Sequence, residues 1–254
     1  MRQIPNVFTL LNLFFGCLAI VSILQTGEGI VNRDGEEWKV YLPESIRWGS
    51  VFIGLAAVVD FLDGFLARLL KSSSEMGKQL DSLSDVVSFG VAPGMILYQM
   101  LRIAFAGRPE GLDVSVLWLL PAFLLPMAAA WRLARFNLDP GQAYGFKGMP
   151  TPAAGLFVAS LPMVALQAGP GLQKLLLSEW VLYGIVLGLS WLMVSSLPLM
   201  GLKFKDYGFR SNLPKWILVG FALVAGLLLQ WLAVPLVFLA YIALSLAFQP
   251  RQTS

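Results

Sequence analysis

The sequence predicts an all-α fold, a polytopic integral membrane helical bundle of about eight transmembrane helices, and three observations predict it. Of the 254 residues, 57% are hydrophobic and only 13% are charged, against about 25% charge in a soluble domain, and the mean hydropathy is +0.72. The apolar residues come in long uncharged runs, at 3–27, 114–131, 148–173, 180–202 and 216–250, and about 20 such residues cross a hydrocarbon layer of roughly 30 Å as a helix. Two shorter runs, 48–59 and 86–101, abut charged clusters into which a helix can extend.

Taken in order, the spans fall at 6–26, 46–70, 79–103, 115–137, 151–168, 179–200, 214–231 and 233–248. No small-x-small cleavage site follows the first, so it reads as a retained anchor. The acidic stretch after it (Glu28, Asp34, Glu36, Glu37, Glu44) reads as a solvated hairpin. The run 216–250 would be about 52 Å long as one helix, too long for one crossing, and Gln230 and Pro235 suggest two short helices joined by a tight turn. With the N-terminus inside, 12 Lys and Arg residues face the inner side and 6 the outer. Basic residues favour the cytoplasmic side, so this orientation is preferred. One integral membrane domain, 1–254, is expected.

Composition also limits the chemistry. There is no His, and Cys17 is the lone Cys. His-dependent acid–base catalysis, Cys₂His₂ zinc sites, disulfides within the chain and Ser-His-Asp triads are therefore excluded. The net charge of +3, without a basic block, gives no sign of nucleic-acid binding. Catalysis would rest on carboxylates, Lys, Arg, hydroxyls or a hard metal ion.

Four of the 15 acids fall close together: Asp60, Asp63, Asp81 and Asp85, at the inner ends of spans two and three. At 100° per residue, Asp60, Asp63, Gly64, Ala67 and Arg68 share about 140° of a helix. Gly77, Asp81, Ser84, Asp85 and Ser88 share a face of the next helix. A short linker makes the two helices antiparallel neighbours, so their polar faces can meet. Unpaired carboxylates in a low-dielectric setting must be protonated, paired or metal-bound. Arg68 offsets only one charge, and all-oxygen ligation suits Mg²⁺, Mn²⁺ or Ca²⁺. Gly64, Ala67 and Gly77 leave room for a bulky ligand beside them.

Residues 60–85 fit D-x₂-D-G-x₂-A-R-x₈-G-x₃-D-x₃-D without a mismatch. The pattern resembles the signature of the CDP-alcohol phosphotransferases. The resemblance implies a membrane enzyme that cleaves a CDP-linked lipid, transfers its phosphatidyl group to an alcohol and releases CMP. It implies Asp60, Asp63, Asp81 and Asp85 as ligands of two Mg²⁺ or Mn²⁺ ions, with Asp85 also the general base. It places Gly64, Ala67 and Gly77 at the nucleotide and Arg68 on its diphosphate. Pro5-Asn6-x-x-Thr9-x-x-Asn12 also resembles the family's first helix, which implies Asn6 and Thr9 as nucleotide contacts. Within the family, residues 81–93, Arg132-Leu-Ala-Arg135-Phe-Asn137 and Phe146-Lys147-Gly148-Met149-Pro150-Thr151-Pro152 resemble type II phosphatidylserine synthases. Met149 departs from the Leu common there. That similarity implies CDP-diacylglycerol and L-serine as substrates and a homodimer in the membrane.

With no His, a carboxylate is the expected base for the serine hydroxyl. The serine carboxylate calls for an inner-facing Arg or Lys. Arg132, Arg135 and Lys147 are the candidates, with Arg135 ranked first. The basic loop Lys203, Lys205, Arg210 and Lys215 is expected to mark topology or touch anionic lipid. Trp118, Trp131, Trp180, Trp191, Trp216 and Trp231 are expected at interfaces or in packing. Gly16 is expected in helix packing and Cys17 as a small apolar filler. Glycerol 3-phosphate or inositol phosphate are alternative acceptors, which would bring a phosphate. A cation transporter is the alternative outside enzymes; the acids' position at helix ends, away from the midplane, argues against it.

Overall fold

The computed structural model describes residues 4–25, 31–34, 37–40, 42–70, 74–108, 113–138, 146–200 and 212–248. The first apolar run forms α1 (Ile4–Leu24). The acidic stretch contains an antiparallel hairpin of β1 (Val31–Asp34) and β2 (Glu37–Val40), pairing Arg33 with Trp38. The expected solvation of its side chains lies outside the described residues. Pro43 then leads into α2 (Glu44–Leu69), with Glu44 in its first turn and Arg68 in its last, the signs that suit the helix dipole.

The third segment starts earlier than expected. Ser74 caps α3 (Glu75–Asp85) by accepting a hydrogen bond from the Gly77 N–H at 3.0 Å. A π-helical segment (Val86–Val91) follows, and α4 (Ala92–Ala106) continues it. This run is the middle of the bundle: α1, α2, α5 (Leu124–Leu138), α6 (Thr151–Gln167) and α8 (Glu179–Val194) all pack on it. Phe89, Ile96, Leu97 and Met100 are fully buried there. Small residues permit the close approach. A Cβ on Gly16 would overlap Ser88 Oγ, and one on Gly155 would lie 2.9 Å from Phe89 Cα. The packing role expected for Gly16 is thus what the structure shows.

Between α6 and α8 lies α7 (Pro170–Leu176), bent by 55° from α8. Arg108 and Glu179 form an ion pair at this end of the bundle. Two residues, Phe146–Lys147 (β3), pair with Pro198–Leu199 (β4). This ladder and the first hairpin are the departures from an all-α chain among the described residues. The last apolar run breaks where expected, at Gln230, whose φ is +50°. It yields α9 (Leu213–Leu229) and α10 (Ala233–Ala247), which pack on each other as a hairpin.

Each expected span has a helix, and the helices differ in length. By length and composition four helical runs qualify as membrane crossings among the described residues: 5–24, 44–69, 75–106 and 213–247. A fifth qualifies if α7 and α8 count as one. Helices thus stand at all eight expected spans, those at the fourth, fifth and sixth being shorter. The fourth span is the clearest case, since 115–137 opens with 3₁₀ turns at Val116–Trp118 and Leu120–Phe123 before α5 begins. The sixth ends at Val194, where the chain turns into the β4 ladder. Trp118, Trp131, Trp180 and Trp191 are more than half exposed on the protein surface, as interfacial or lipid-facing residues would be. Cys17 is exposed on α1, not a buried filler. The basic loop residues 203–210 lie outside the described residues. These apolar helices make the chain an integral membrane protein.

Candidate active site

Three helix ends enclose a cavity of about 480 Å³. From α1 come Pro5, Asn6 and Thr9; from α2, Asp63, Gly64 and Ala67; from the start of α3, Ser74, Glu75, Gly77, Lys78 and Asp81. The helical register explains the set. Asp60, Asp63, Gly64 and Ala67 recur every three or four residues and so share one side of α2. Gly64 has no atom within 4 Å of where a Cβ would be, so the cavity is open above its backbone. A Cβ on Gly77 would come within 3.0 Å of Asn6 Oδ1, so glycine lets α1 and α3 close at the cavity edge.

The acids converge as their spacing predicts. Carboxylate oxygens of Asp60, Asp63 and Asp81 all lie within 4.8 Å of one another. Asp63 is held from α1, because Thr9 Oγ1 donates to its Oδ2 at 2.8 Å. Three carboxylates this close, all-oxygen and without a Lys or Arg ion pair among the described residues, could hold a metal ion. Asp85 stands outside that trio, one turn further along. Its carboxyl is within hydrogen-bonding reach of Asp60, and Asn12 Nδ2 donates to its Oδ1 at 3.4 Å. Asn12 can donate only through its Nδ2, so this bond orients the amide and turns its Oδ1 away. That oxygen is buried without a partner.

Behind Asp85 lies Arg132 of α5, which is buried. Its Nη1 donates to Thr151 Oγ1 at 3.0 Å, and its guanidinium acts electrostatically on Asp85 and on Tyr241 of α10. Arg132 Nε is a buried donor with no partner. Tyr241 in turn donates to the Met200 carbonyl at 3.0 Å. The π-helical segment begins right after Asp85; such segments recur at functional sites, where they shift a helix face by one residue.

The structure sorts the expected residues. Asn6, Thr9, Gly64, Ala67 and Gly77 line the cavity, with Asp63 and Asp81. Thr9 spends its hydroxyl on Asp63 and also lies 3.1 Å from the Pro5 carbonyl. Arg68 does not line the cavity; it is exposed and its Nε donates to the Gly64 carbonyl at 2.9 Å. Among the serine-binding candidates, Arg135 was ranked first, but it is exposed and donates to the Val194 carbonyl at 3.2 Å. Arg132 is the one near Asp85: the two arginines lie only about 60° apart round α5, but Arg135 sits in the last turn of the helix, where it is exposed. The Lys147 side chain lies outside the described residues. The sequence gives no site role to Lys78 or Tyr241, and it names Asn12 only as the end of the first-helix motif. Helical spacing from Asp81 and Asp85 could have found Lys78, but Tyr241 meets the site only through the return of α10.

Comparison with known proteins covers most of the chain. The sequence profile of a family described as CDP-alcohol phosphatidyltransferase matches residues 2–194. Three proteins named CDP-diacylglycerol–serine O-phosphatidyltransferase are similar to it. That of Mycobacterium leprae is 42% identical over 154 residues, 58% of this chain and 47% of the relative. That of Mycobacterium tuberculosis is 29% identical over 250 residues, 95% of this chain and 76% of the relative. That of Bacillus subtilis is 32% identical over 186 residues, 70% of this chain and 89% of the relative. The chain thus spans about half the length of the first of these and most of the other two.

Proposed function

Because the chain belongs to the CDP-alcohol phosphatidyltransferase family, we propose that it transfers the phosphatidyl group of CDP-diacylglycerol to L-serine and releases CMP. It is, in this reading, a phosphatidylserine synthase working as a single membrane domain and as a homodimer, with its site on the cytoplasmic side. The observation that carries the reading is the convergence of Asp60, Asp63 and Asp81 beside a cavity whose wall is opened by Gly64. The printed names of the relatives support serine as acceptor, and the excess of Lys and Arg on one side supports the orientation.

Asp60, Asp63 and Asp81 would hold Mg²⁺ or Mn²⁺, with Asp85 as a further ligand from the family pattern. When bound, such a cation supplies charge neutralisation at the phosphates. The chain's own groups do the rest. Thr9 holds the Asp63 carboxylate in place. Asn6, Gly64, Ala67 and Gly77 form the walls that receive the cytidine nucleotide. Arg132, with its unpartnered Nε, meets the serine carboxylate, for which a planar guanidinium is the matching group. Asp85 accepts the serine hydroxyl proton as the oxygen forms its bond to phosphorus. The bond from phosphorus to the CMP oxygen breaks, and CMP carries that electron pair away. Positioning and charge dominate such a transfer.

The test is a parallel acceptor assay. Purified protein and CDP-diacylglycerol are offered serine, glycerol 3-phosphate and inositol phosphate, with Mg²⁺ or Mn²⁺ and with chelator. CMP release that needs both the metal and serine is expected. Preference for a phosphate-bearing acceptor would defeat the serine assignment, and turnover unaffected by chelator would defeat the metal role.

A further inference from the structure

The charged side chains that line the cavity are mostly acidic. Its charged walls are Asp63, Glu75 and Asp81, all negative, and Lys78 is the one cation lining it among the described residues. Arg68, which the resemblance places on the diphosphate, is outside the lining and bonded back to its own helix. A nucleotide diphosphate is itself an anion, so a basic side chain on the wall complements it beside the metal that the aspartates would hold.

We infer that Lys78 is the side chain that grips a phosphate oxygen of the nucleotide-linked donor. The inference rests on the functional reading above, which puts a CDP-linked lipid in this cavity. Lys78 lies in the first turns of α3, one residue past Gly77, whose lack of a side chain lets α1 come close at the cavity edge. Its Nζ is already steadied, donating to the Asn137 carbonyl at 3.1 Å near the end of α5. Asn137 is fixed in turn, since its Nδ2 donates to Ser82 Oγ at 2.8 Å. An ammonium has three donors. One can stay on the Asn137 carbonyl while the others turn to phosphate, a charged acceptor that makes the stronger bond. The lysine therefore needs no large rearrangement to bind, and its anchoring by α5 links the donor pocket to the helix that carries Arg132.

The experiment compares wild type with Lys78→Met and Lys78→Arg in detergent. Steady-state CMP release is measured against CDP-diacylglycerol and against serine, and CDP binding is measured by titration calorimetry with Mn²⁺ present. Removing a charged hydrogen bond should raise the CDP-diacylglycerol KM of Lys78→Met roughly ten- to a hundredfold. The serine KM should stay within twofold, CDP should bind correspondingly more weakly, and Lys78→Arg should recover most of the loss. A donor KM within threefold of wild type overturns the inference. So does a loss confined to kcat or to the serine KM, which is what a merely structural tie to α5 would give. If wild type itself fails to turn over with serine, the functional reading falls. CDP binding then judges Lys78 alone, and equal affinity in wild type and Lys78→Met overturns the contact. Should Lys78→Met fail to fold, Lys78→Gln is read by the same two measurements.

Discussion

Thr9→Val replaces the hydroxyl that holds Asp63 with a methyl of nearly the same shape. Thr9 Oγ1 has one hydrogen and two acceptors in range, Asp63 Oδ2 at 2.8 Å and the Pro5 carbonyl at 3.1 Å. The carboxylate is closer and charged, so the hydrogen serves Asp63. Asp63 is only 5% exposed, and Thr9 only 3%, so water does not readily replace the lost donor. A buried hydrogen bond to a charged group is worth about 1.5–3 kcal/mol. Carried over to the supporting residue of a metal ligand, that is roughly ten- to a hundredfold in metal affinity. The assay is CMP release against Mn²⁺ or Mg²⁺ concentration at saturating donor and serine. The half-activating concentration should rise by that factor, the rate should recover at high metal, and Thr9→Ser should behave nearly as wild type. A half-activating concentration within twofold of wild type refutes the reasoning. If the CDP-diacylglycerol KM rises in its place, Thr9 is a nucleotide contact and not a support for Asp63.

Two glycines should separate fold from function. Gly155→Val pushes a side chain to within 2.9 Å of Phe89 and should cost about 1–3 kcal/mol by overpacking, seen as a lower Tm in detergent. Gly64→Ala meets no atom within 4 Å, so its Tm should match wild type while the donor KM rises; an unchanged donor KM would remove Gly64 from the nucleotide site. Asp85→Asn keeps the shape but cannot accept the serine proton, so kcat should fall by about 10²–10⁴, and near-normal turnover would end its role as base. Arg132→Lys loses the planar fork and should raise the serine KM roughly tenfold. Arg135→Lys, at an exposed position bonded to the Val194 carbonyl, should leave it within twofold, and the reverse pattern would restore the original ranking of the two.

Much of the site was legible because its residues are local in sequence. Asp60, Asp63, Gly64 and Ala67 sit within about two turns of helix, and Asp81 and Asp85 are separated by a turn, so the helical period alone aligns them. The break at Gln230 was legible for a related reason, since an uncharged run of that length exceeds one crossing. Other features were not, because they depend on which helix meets which. Arg132 and Arg135 have the same chemistry and nearly the same position, and only the packing of α5 buries the first and exposes the second. Arg68 fits the motif, yet its side chain folds back to Gly64 and away from the cavity lining.

The order of residues was sufficient to establish a helical membrane protein, an all-oxygen carboxylate cluster and a chemistry without His. These follow from composition and from the 3.6-residue period, which hold whatever the neighbours are. Packing chose which carboxylates form the tight trio, set Asp85 apart against Asn12, and brought Lys78 to the cavity and α10 to the back of Arg132. Those choices arise from contacts between segments far apart in the chain. Small residues such as Gly16 and Gly155 determine how closely the helices approach, and no local pattern encodes that distance.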